Sequence, residues 1–548
     1  MKMLVQLWHS RVCGCHSEER EQVWRGWRKL LFPVVSLAAL LWFLVRVIPK
    51  PSRATYPCQQ AAFPLASAFV VWLIALKVGI IAAVRARMPK LKPVLIGICG
   101  LLVVGLAAWG ASEAAKSLRG PWVPSDPPNS PMGVAKGIFP GRVVWVRDTN
   151  ATPWNGDTNS GAHWWDDNTG VNQQAVDRMT SRSLQALTGA SSDAQAWDKL
   201  FKYFNSTHGR GEVGYRKGEI VALKPNCNNA YAGYGDVDNQ IDASSQAILS
   251  MLHQLVDEAG VPQNNIVVYE AVRVVADRIY NPCHAKFPGV IWMDSKGNGT
   301  NGRQAPNWHK DAFDYSMTNT GCGRDVPELV FQSTYIVNMA LLKGHPTTGV
   351  TLTAKNHYGS IDGREHKNYI NTWQHQMGIY NPFVDLIGTK QLGGKTVLFM
   401  VDGLFGTRDA NDPVVPKFAA WTNLFGGQWS ASILMSQDPV AIDSVGLDFL
   451  RYEFGSYLAS SHGPGHEFFA DNYLHEAAQA DHAPSGISYH PDGVPLASLG
   501  VHEHWNNAQD KQYSRNLSPT GKGIELYMVG AEEKKIGSAG QERMASVR

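Results

Sequence analysis

"SSQAILSMLHQLVDEAGV" (residues 244–261) is followed, three residues later, by "NIVVYEA" (265–271), and the reading of this pair decides the fold class. In the first stretch apolar residues recur at helical spacing and Gly260 marks the stop. The second is a short β-branched run of strand length. Upstream lies "EIVALKPN" (219–226), so the order is strand, helix, strand, the pattern of a parallel βαβ unit. Working outward, "RVVWVRD" (142–148), "VIWMD" (290–294), "TYIVNMALL" (334–342) and "KTVLFMVDG" (395–403) read as further strands. "DPVAIDSVGLDFLRYEF" (438–454) reads as a helix, with Asp438 as its N-cap and Pro439 in its first turn. The alternation predicts an α/β domain over residues 141–530, with a mostly parallel sheet and flanking helices. Residues 531–548 form a polar, flexible tail.

Upstream of this body the composition changes. Three apolar runs occur at about 30–48, 61–84 and 93–111, each near the roughly 18–20 residues that cross a bilayer. They predict an N-terminal bundle of three transmembrane helices over 30–112, with Lys77 inside the second. Residues 113–140 are rich in Pro, Gly and Ser and read as a linker. Basic residues crowd segment 1–29 and the loop holding Arg85, Arg87, Lys90 and Lys92, which places the N-terminus in the cytoplasm. In a bacterium the α/β body is then periplasmic, tethered to the inner membrane. The net charge of +3 on 548 residues gives no electrostatic case for nucleic-acid binding.

In open α/β sheets ligands bind beyond the carboxyl ends of the strands. Polar groups collect at those ends here: Lys224 and Asn226, then Glu270 and Arg273, then Asn338, Lys343 and His345. The turn after "LLKGH" adds Lys355, Asn356 and His357, and a later strand ends at Asp402. Lysines sharing a cleft suit an anion, and a desolvated lysine beside other cations is a base or amine nucleophile. The candidate catalytic set is His345, Lys355, Glu270 and Asp402, with Lys224, Asn226, Lys343, Asn356 and Asp443 binding substrate. Structural readings stand beside these, such as a turn-holding His345 bonded to Thr347 or Thr348 and an ion pair between Lys355 and Asp402.

Other motifs point less far. Seven cysteines are scattered; Cys13 and Cys15 lack the second pair of a zinc site, and Cys283 with Cys322 is a candidate disulfide. No ferredoxin-type cysteine run, P-loop, G-x-S-x-G elbow or dinucleotide fingerprint is encoded. "HGPGHEFF" (462–469) and "HEHW" (502–505) are rich in histidine, but Gly-Pro-Gly breaks the helix that His462 and His466 need. His502, Glu503 and His504 read as a surface loop, so no metal site is assigned.

"EIVALKPN", "YIVNMALLKGHPTTGVTLTAKNHYGSI", "VLFMVDGLFG" and "MSQDPVAIDSVGLDFL" resemble, in order, the signature blocks of the domain-of-unknown-function family 362, over about residues 215–455. The segment "PMGVAKGIFPGRVVWVRDTNATPWNG" (131–156) resembles members that are longer exported bacterial proteins. Some relatives carry ferredoxin-like cysteine clusters, which this chain lacks. A fainter likeness is to nickel-pincer lactate racemases, where a His, small residues and then a Lys hold the cofactor; His345 and Lys355 are similarly spaced. His366 and His375 stand as later counterparts, while Glu270 occupies an earlier position where those enzymes use histidine. That likeness would imply a nickel-pincer cofactor.

Together these readings predict a membrane-tethered enzyme that moves a proton on a small anionic substrate, isomerase- or oxidoreductase-like. Lys224, Lys343 and Lys355 would hold the anion and His345 would move the proton. The alternative is a non-catalytic ligand-binding or redox-accessory component of a membrane complex.

Overall fold

The computed structural model describes residues 126–227, 233–318, 320, 322–345, 348–363, 378–460 and 469–529. The three apolar runs, both tails, His366, His375, His462 and His466 lie outside the described residues. Among the described residues no helix is long and apolar enough to cross a membrane.

The strands are, in chain order, β1 (Met132–Gly133), β2 (Arg142–Arg147), β3 (Val221–Pro225), β4 (Ile266–Glu270), β5 (Ile291–Asp294), β6 (Trp308–His309) and β7 (Val326–Pro327). They continue with β8 (Tyr335–His345), β9 (Gly349–Thr351), β10 (Thr396–Thr407), β11 (Ser432–Ser436), β12 (Val501–His502) and β13 (Glu525–Val529). The main sheet runs β13-β2-β11-β10-β8-β3-β4-β5, with β9 paired on β8. β1 with β12 and β6 with β7 make two small antiparallel pairs.

Side chains alternate across each strand, and the alternation sorts the core into two layers. Val144, Val146, Ile266 and Val268 belong to one apolar cluster; their neighbours Val143, Trp145, Val267 and Tyr269 belong to the other. The first face is covered by α1 (Gln173–Thr188), α2 (Asp193–Thr207) and α3 (Ser245–His253), through residues such as Met179, Trp197 and Met251. The second is covered by α5 (Pro382–Gly388), α6 (Pro439–Ser460) and α7 (Phe469–Ala478), through Phe383, Val445 and Leu474; the one-turn α4 (Thr353–Asn356) sits on this side. Each such side chain contributes about 1.5–3 kcal/mol by leaving water. With both faces covered, β3 and β4 are buried at every residue, so their sequences are near-continuous apolar runs.

Six strands fall where the sequence puts them, but the sheet is mixed rather than mostly parallel. β11 runs antiparallel to both β10 and β2, and β9 folds back antiparallel on β8. A strand buried on both faces has the same apolar content in either direction, so direction is set by its connections and not by its composition. β8 and β10 are also longer than their apolar cores. Lys343 pairs with Thr351 of β9 and Thr407 of β10, which carries the ladder through the polar residues to His345. Lys343 therefore lies inside a strand, not in the turn after it.

Two further expectations are corrected. Cys283 and Cys322 are free thiols, not a disulfide; Cys283 is buried and donates to the Ser245 carbonyl at 3.5 Å. "HEHW" is no surface loop, since His502, Glu503 and His504 are all buried at 1% exposure or less. Alternating charge and imidazole read as solvated, yet each of these groups finds a buried partner: Ser444 for His502, the Ile524 amide for Glu503 and Asp448 for His504. Asp438 is the expected cap: Oδ1 accepts from the Val440 and Ala441 amides at 3.0 and 2.9 Å, and Oδ2 from Lys136 at 2.9 Å. Residues 126–140, read as linker, thus include β1 and a stretch tied to this cap.

Candidate functional site

The site is built where β3, β4 and β8 end. Parallel register sets Lys224 beside Asn338. The Lys224 ammonium is fully buried and donates to Glu270 Oε2 at 2.7 Å and to the Pro225 carbonyl at 2.8 Å. Asn356, on α4, donates to the Lys224 carbonyl at 3.0 Å and to Asn338 Oδ1 at 2.8 Å, while its Oδ1 accepts from Asn226 at 2.9 Å. Asn338 in turn donates to the Thr353 carbonyl at 2.9 Å. Four of the predicted residues, Lys224, Asn226, Glu270 and Asn356, therefore form one buried network that fixes α4 against the sheet. Gly359 closes it: a Cβ there would sit 2.8 Å from both Glu270 Oε1 and Lys224 Nζ.

Asp443 explains why α4 forms at all. A four-residue helix cannot satisfy its own amides. Asp443, reaching from α6, accepts from the Thr353 and Ala354 amides at 2.8 and 2.9 Å, and from the Thr353 hydroxyl and Tyr473. Burial pushes its carboxyl up to about 6. It positions Lys355 and Asn356 through the backbone.

Lys343 and Lys355 differ from Lys224. Lys343 is fully buried and its ammonium makes no hydrogen bond. Burial lowers its pKa, opposed by the charges of Asp242 and Asp409. Lys355 is partly accessible and reaches only the Thr351 hydroxyl, at 3.4 Å. Desolvation, then the like charges of Lys343 and Arg273, hold it well below the ordinary lysine value. Arg273, Glu270 and Lys224 all act on Lys355 electrostatically, which gathers the predicted cations round one spot. No carboxylate lies within ion-pair distance of Lys343 or Lys355 among the described residues.

The remaining predicted residues stand apart from this spot or at its rim. Asp402 accepts from the Ser244 hydroxyl at 2.9 Å and the Leu404 amide at 3.1 Å, so it braces the N-cap of α3; burial raises its pKa. Its expected partner Lys355 lies under the field of Glu270 instead. His345 is half-buried at the last residue of β8, opposite Gly349; Thr348, offered as its partner, donates to the Val350 carbonyl at 2.9 Å. His357 is buried and held neutral, its pKa lowered to about 3 by burial and the Lys224 charge.

Asp242 and Asp409, which shape Lys343, were not legible as site residues. Asp242 reads as one more polar residue before a helix, and pairs with Arg278 at 3.1 Å. Nothing local signals that it faces a lysine one hundred residues later.

No curated protein and no solved structure matches this chain. The likeness to lactate racemases rests on His345 and Lys355 alone. Glu270, where those enzymes use histidine, is committed to Lys224, and His366 and His375 lie outside the described residues. The described residues thus assemble no nickel ligand set, and no step is derived through that cofactor. The other resemblance holds. Residues 306–448, which carry Lys343, His345, Lys355, Asn356, Asp402 and Asp443 but neither Lys224 nor Glu270, match the family described as Domain of unknown function (DUF362).

Proposed function

We propose that this chain binds a small anionic molecule, a carboxylate or phosphate, at the ends of β8 and α4, and moves a proton on it. The observation that supports this reading is the pair Lys343 and Lys355, two desolvated ammonium groups with no carboxylate at ion-pair distance among the described residues. A buried cation without a partner is costly, and an anionic ligand removes that cost. Glu270 is already neutralised by Lys224, so it does not compete for the ligand. Partial exposure of Lys355 gives a ligand access.

With Lys343 and Arg273 holding the negative end, the Lys355 amine, held well below the ordinary lysine value by desolvation and its cationic neighbours, is the base for a proton next to a carbonyl. His345 is the second proton carrier at the rim. The three apolar runs support a tether in the bacterial inner membrane with this body outside it. Reporter fusions placed after the third run test that topology.

The function is tested by titrating the full-length protein calorimetrically with inorganic phosphate and small 2-hydroxy and 2-oxo carboxylates. Deuterium uptake in D2O, at C2 of the hydroxy acids and at C3 of the oxo acids, is followed alongside. Binding with exchange, both lost in Lys355→Met, is the expected result. Binding without exchange selects the non-catalytic ligand-binding or accessory role, and no binding rejects the site.

A further inference from the structure

Far along the chain from these lysines, the "HEHW" segment meets α7 in a second polar cluster. Oxygen and nitrogen atoms of Asp471, His502 and His504 lie within 4.8 Å of one another, and all three residues are at most 1% exposed. Both carboxylate oxygens of Asp471 and the Nε2 atoms of His502 and His504 are buried with no hydrogen-bond partner. The nearest approach is 3.4 Å, between His504 Nε2 and Asp471 Oδ1.

The other ring nitrogens say which atoms carry protons. His504 Nδ1 lies 2.8 Å from Asp448 Oδ1, an acceptor that also takes the Tyr513 hydroxyl and the Trp505 amide on its other oxygen. His502 Nδ1 lies 2.8 Å from Ser444 Oγ, whose own proton goes to the Val440 carbonyl at 2.7 Å. With each Nδ1 donating, a neutral ring carries a lone pair on Nε2. Arg451 also lies 3.2 Å from His504 Nδ1. Asp448 and Asp471 favour a second proton on that ring against the cost of burial, so an ion there takes the place of the His504 Nε2 proton. Two imidazole edges and a carboxylate thus face one another in a dry place, none of these atoms hydrogen-bonded. Buried polar atoms in that state are satisfied by a bound cation, whether a proton on His504 or a metal ion. A histidine whose far nitrogen is fixed by a carboxylate or hydroxyl is the usual supporting shell of a metal ligand.

We propose that Asp471, His502 and His504 hold one divalent first-row metal ion of the zinc class. Two imidazoles and one carboxylate match that class of ion, which such groups hold at about 2.0–2.2 Å. Asp126, held by His475, lies 3.8 Å from His502 Nε2 and groups with those two histidines beside the site rather than with Asp471 and His504. The ion would tie α7 to the segment at β12. Because Tyr473 of α7 also donates to Asp443, the same clamp would steady α4.

The test strips the full-length protein with a chelator and titrates it with Co(II), then displaces Co(II) with Zn(II). One Co(II) per chain, visible d–d bands of a four-coordinate site, a raised unfolding temperature, and at least tenfold weaker binding in Asp471→Asn and His504→Gln are expected. No binding of either ion overturns the proposal and leaves a buried histidinium pair with Asp471. Binding unchanged in the variants overturns it as well. Should a variant fail to fold, zinc-edge X-ray absorption on the wild-type protein decides. Two imidazole nitrogens with carboxylate oxygen support the site, and a thiolate or all-oxygen shell refutes it.

Discussion

Glu270→Gln is the sharpest perturbation of the site. Glutamine keeps the size and one acceptor but removes the only charge within ion-pair distance of Lys224 among the described residues. Lys224 is 0% and Glu270 3% exposed, so water cannot take over for the lost carboxylate. Breaking a buried pair by removing one partner costs about 3–5 kcal/mol, because an uncompensated charge stays behind. The Lys224 ammonium keeps the Pro225 carbonyl at 2.8 Å, which offsets a little of this. The same cost should vanish when both partners go: Lys224→Met with Glu270→Met should lie within about 2 kcal/mol of the wild type. Urea unfolding followed by tryptophan fluorescence measures Glu270→Gln, the single variants Lys224→Met and Glu270→Met, and the double variant with the parent. A loss under about 1 kcal/mol in Glu270→Gln, or a double variant as unstable as the two single losses added together, would refute the account of a sealed pair.

Other perturbations follow from the same geometry. Asp443→Ala leaves the Thr353 and Ala354 amides and the Tyr473 hydroxyl unmet; it should cost at least about 2 kcal/mol and abolish anion binding, read by unfolding and calorimetry. Gly359→Ala drives a methyl to 2.8 Å from Glu270 and Lys224 and should cost about 1–3 kcal/mol, whereas Gly427→Ala, with open space around it, should be judged only on its positive φ. The lowered pKa of Lys355 gives two opposite pH slopes. Between its folded value and about 10.4 the unfolded chain binds the extra proton, so the ligand-free protein should gain stability as pH rises. An anion needs the protonated form, so its affinity should fall over the same window, and a profile in which both rise would contradict the assignment. Asp438→Ala removes the cap of α6 and an acceptor for Lys136, and should lower the unfolding temperature by an amount equivalent to about 1–2 kcal/mol.

The residue pattern by itself settled the α/β class and the elements with the clearest period, but not β11, α1, α2, α5 or α7. β3, β4 and β8 are apolar runs long enough and bounded clearly enough to be read directly, and α3 and α6 carry helical spacing with a cap at Asp438. These are local properties, fixed by side-chain period and by backbone caps. The gathering of lysines at strand ends was legible for the same reason, since a parallel sheet sends successive carboxyl ends to one edge. What the pattern could not carry was direction and partnership. The reversed β11 has the composition of its parallel neighbours, and the length of β8 depends on β9 and β10 supplying partners for polar residues. Lys224, Lys343 and Lys355 look alike in sequence, yet one is sealed by Glu270 and two are left to the field of their neighbours. His502 and His504 look solvated, yet Asp471, Asp448 and Ser444 arrive from elsewhere in the chain to bury them. A charge acquires its chemistry from what surrounds it in three dimensions, and burial with a distant partner leaves no mark on the local sequence.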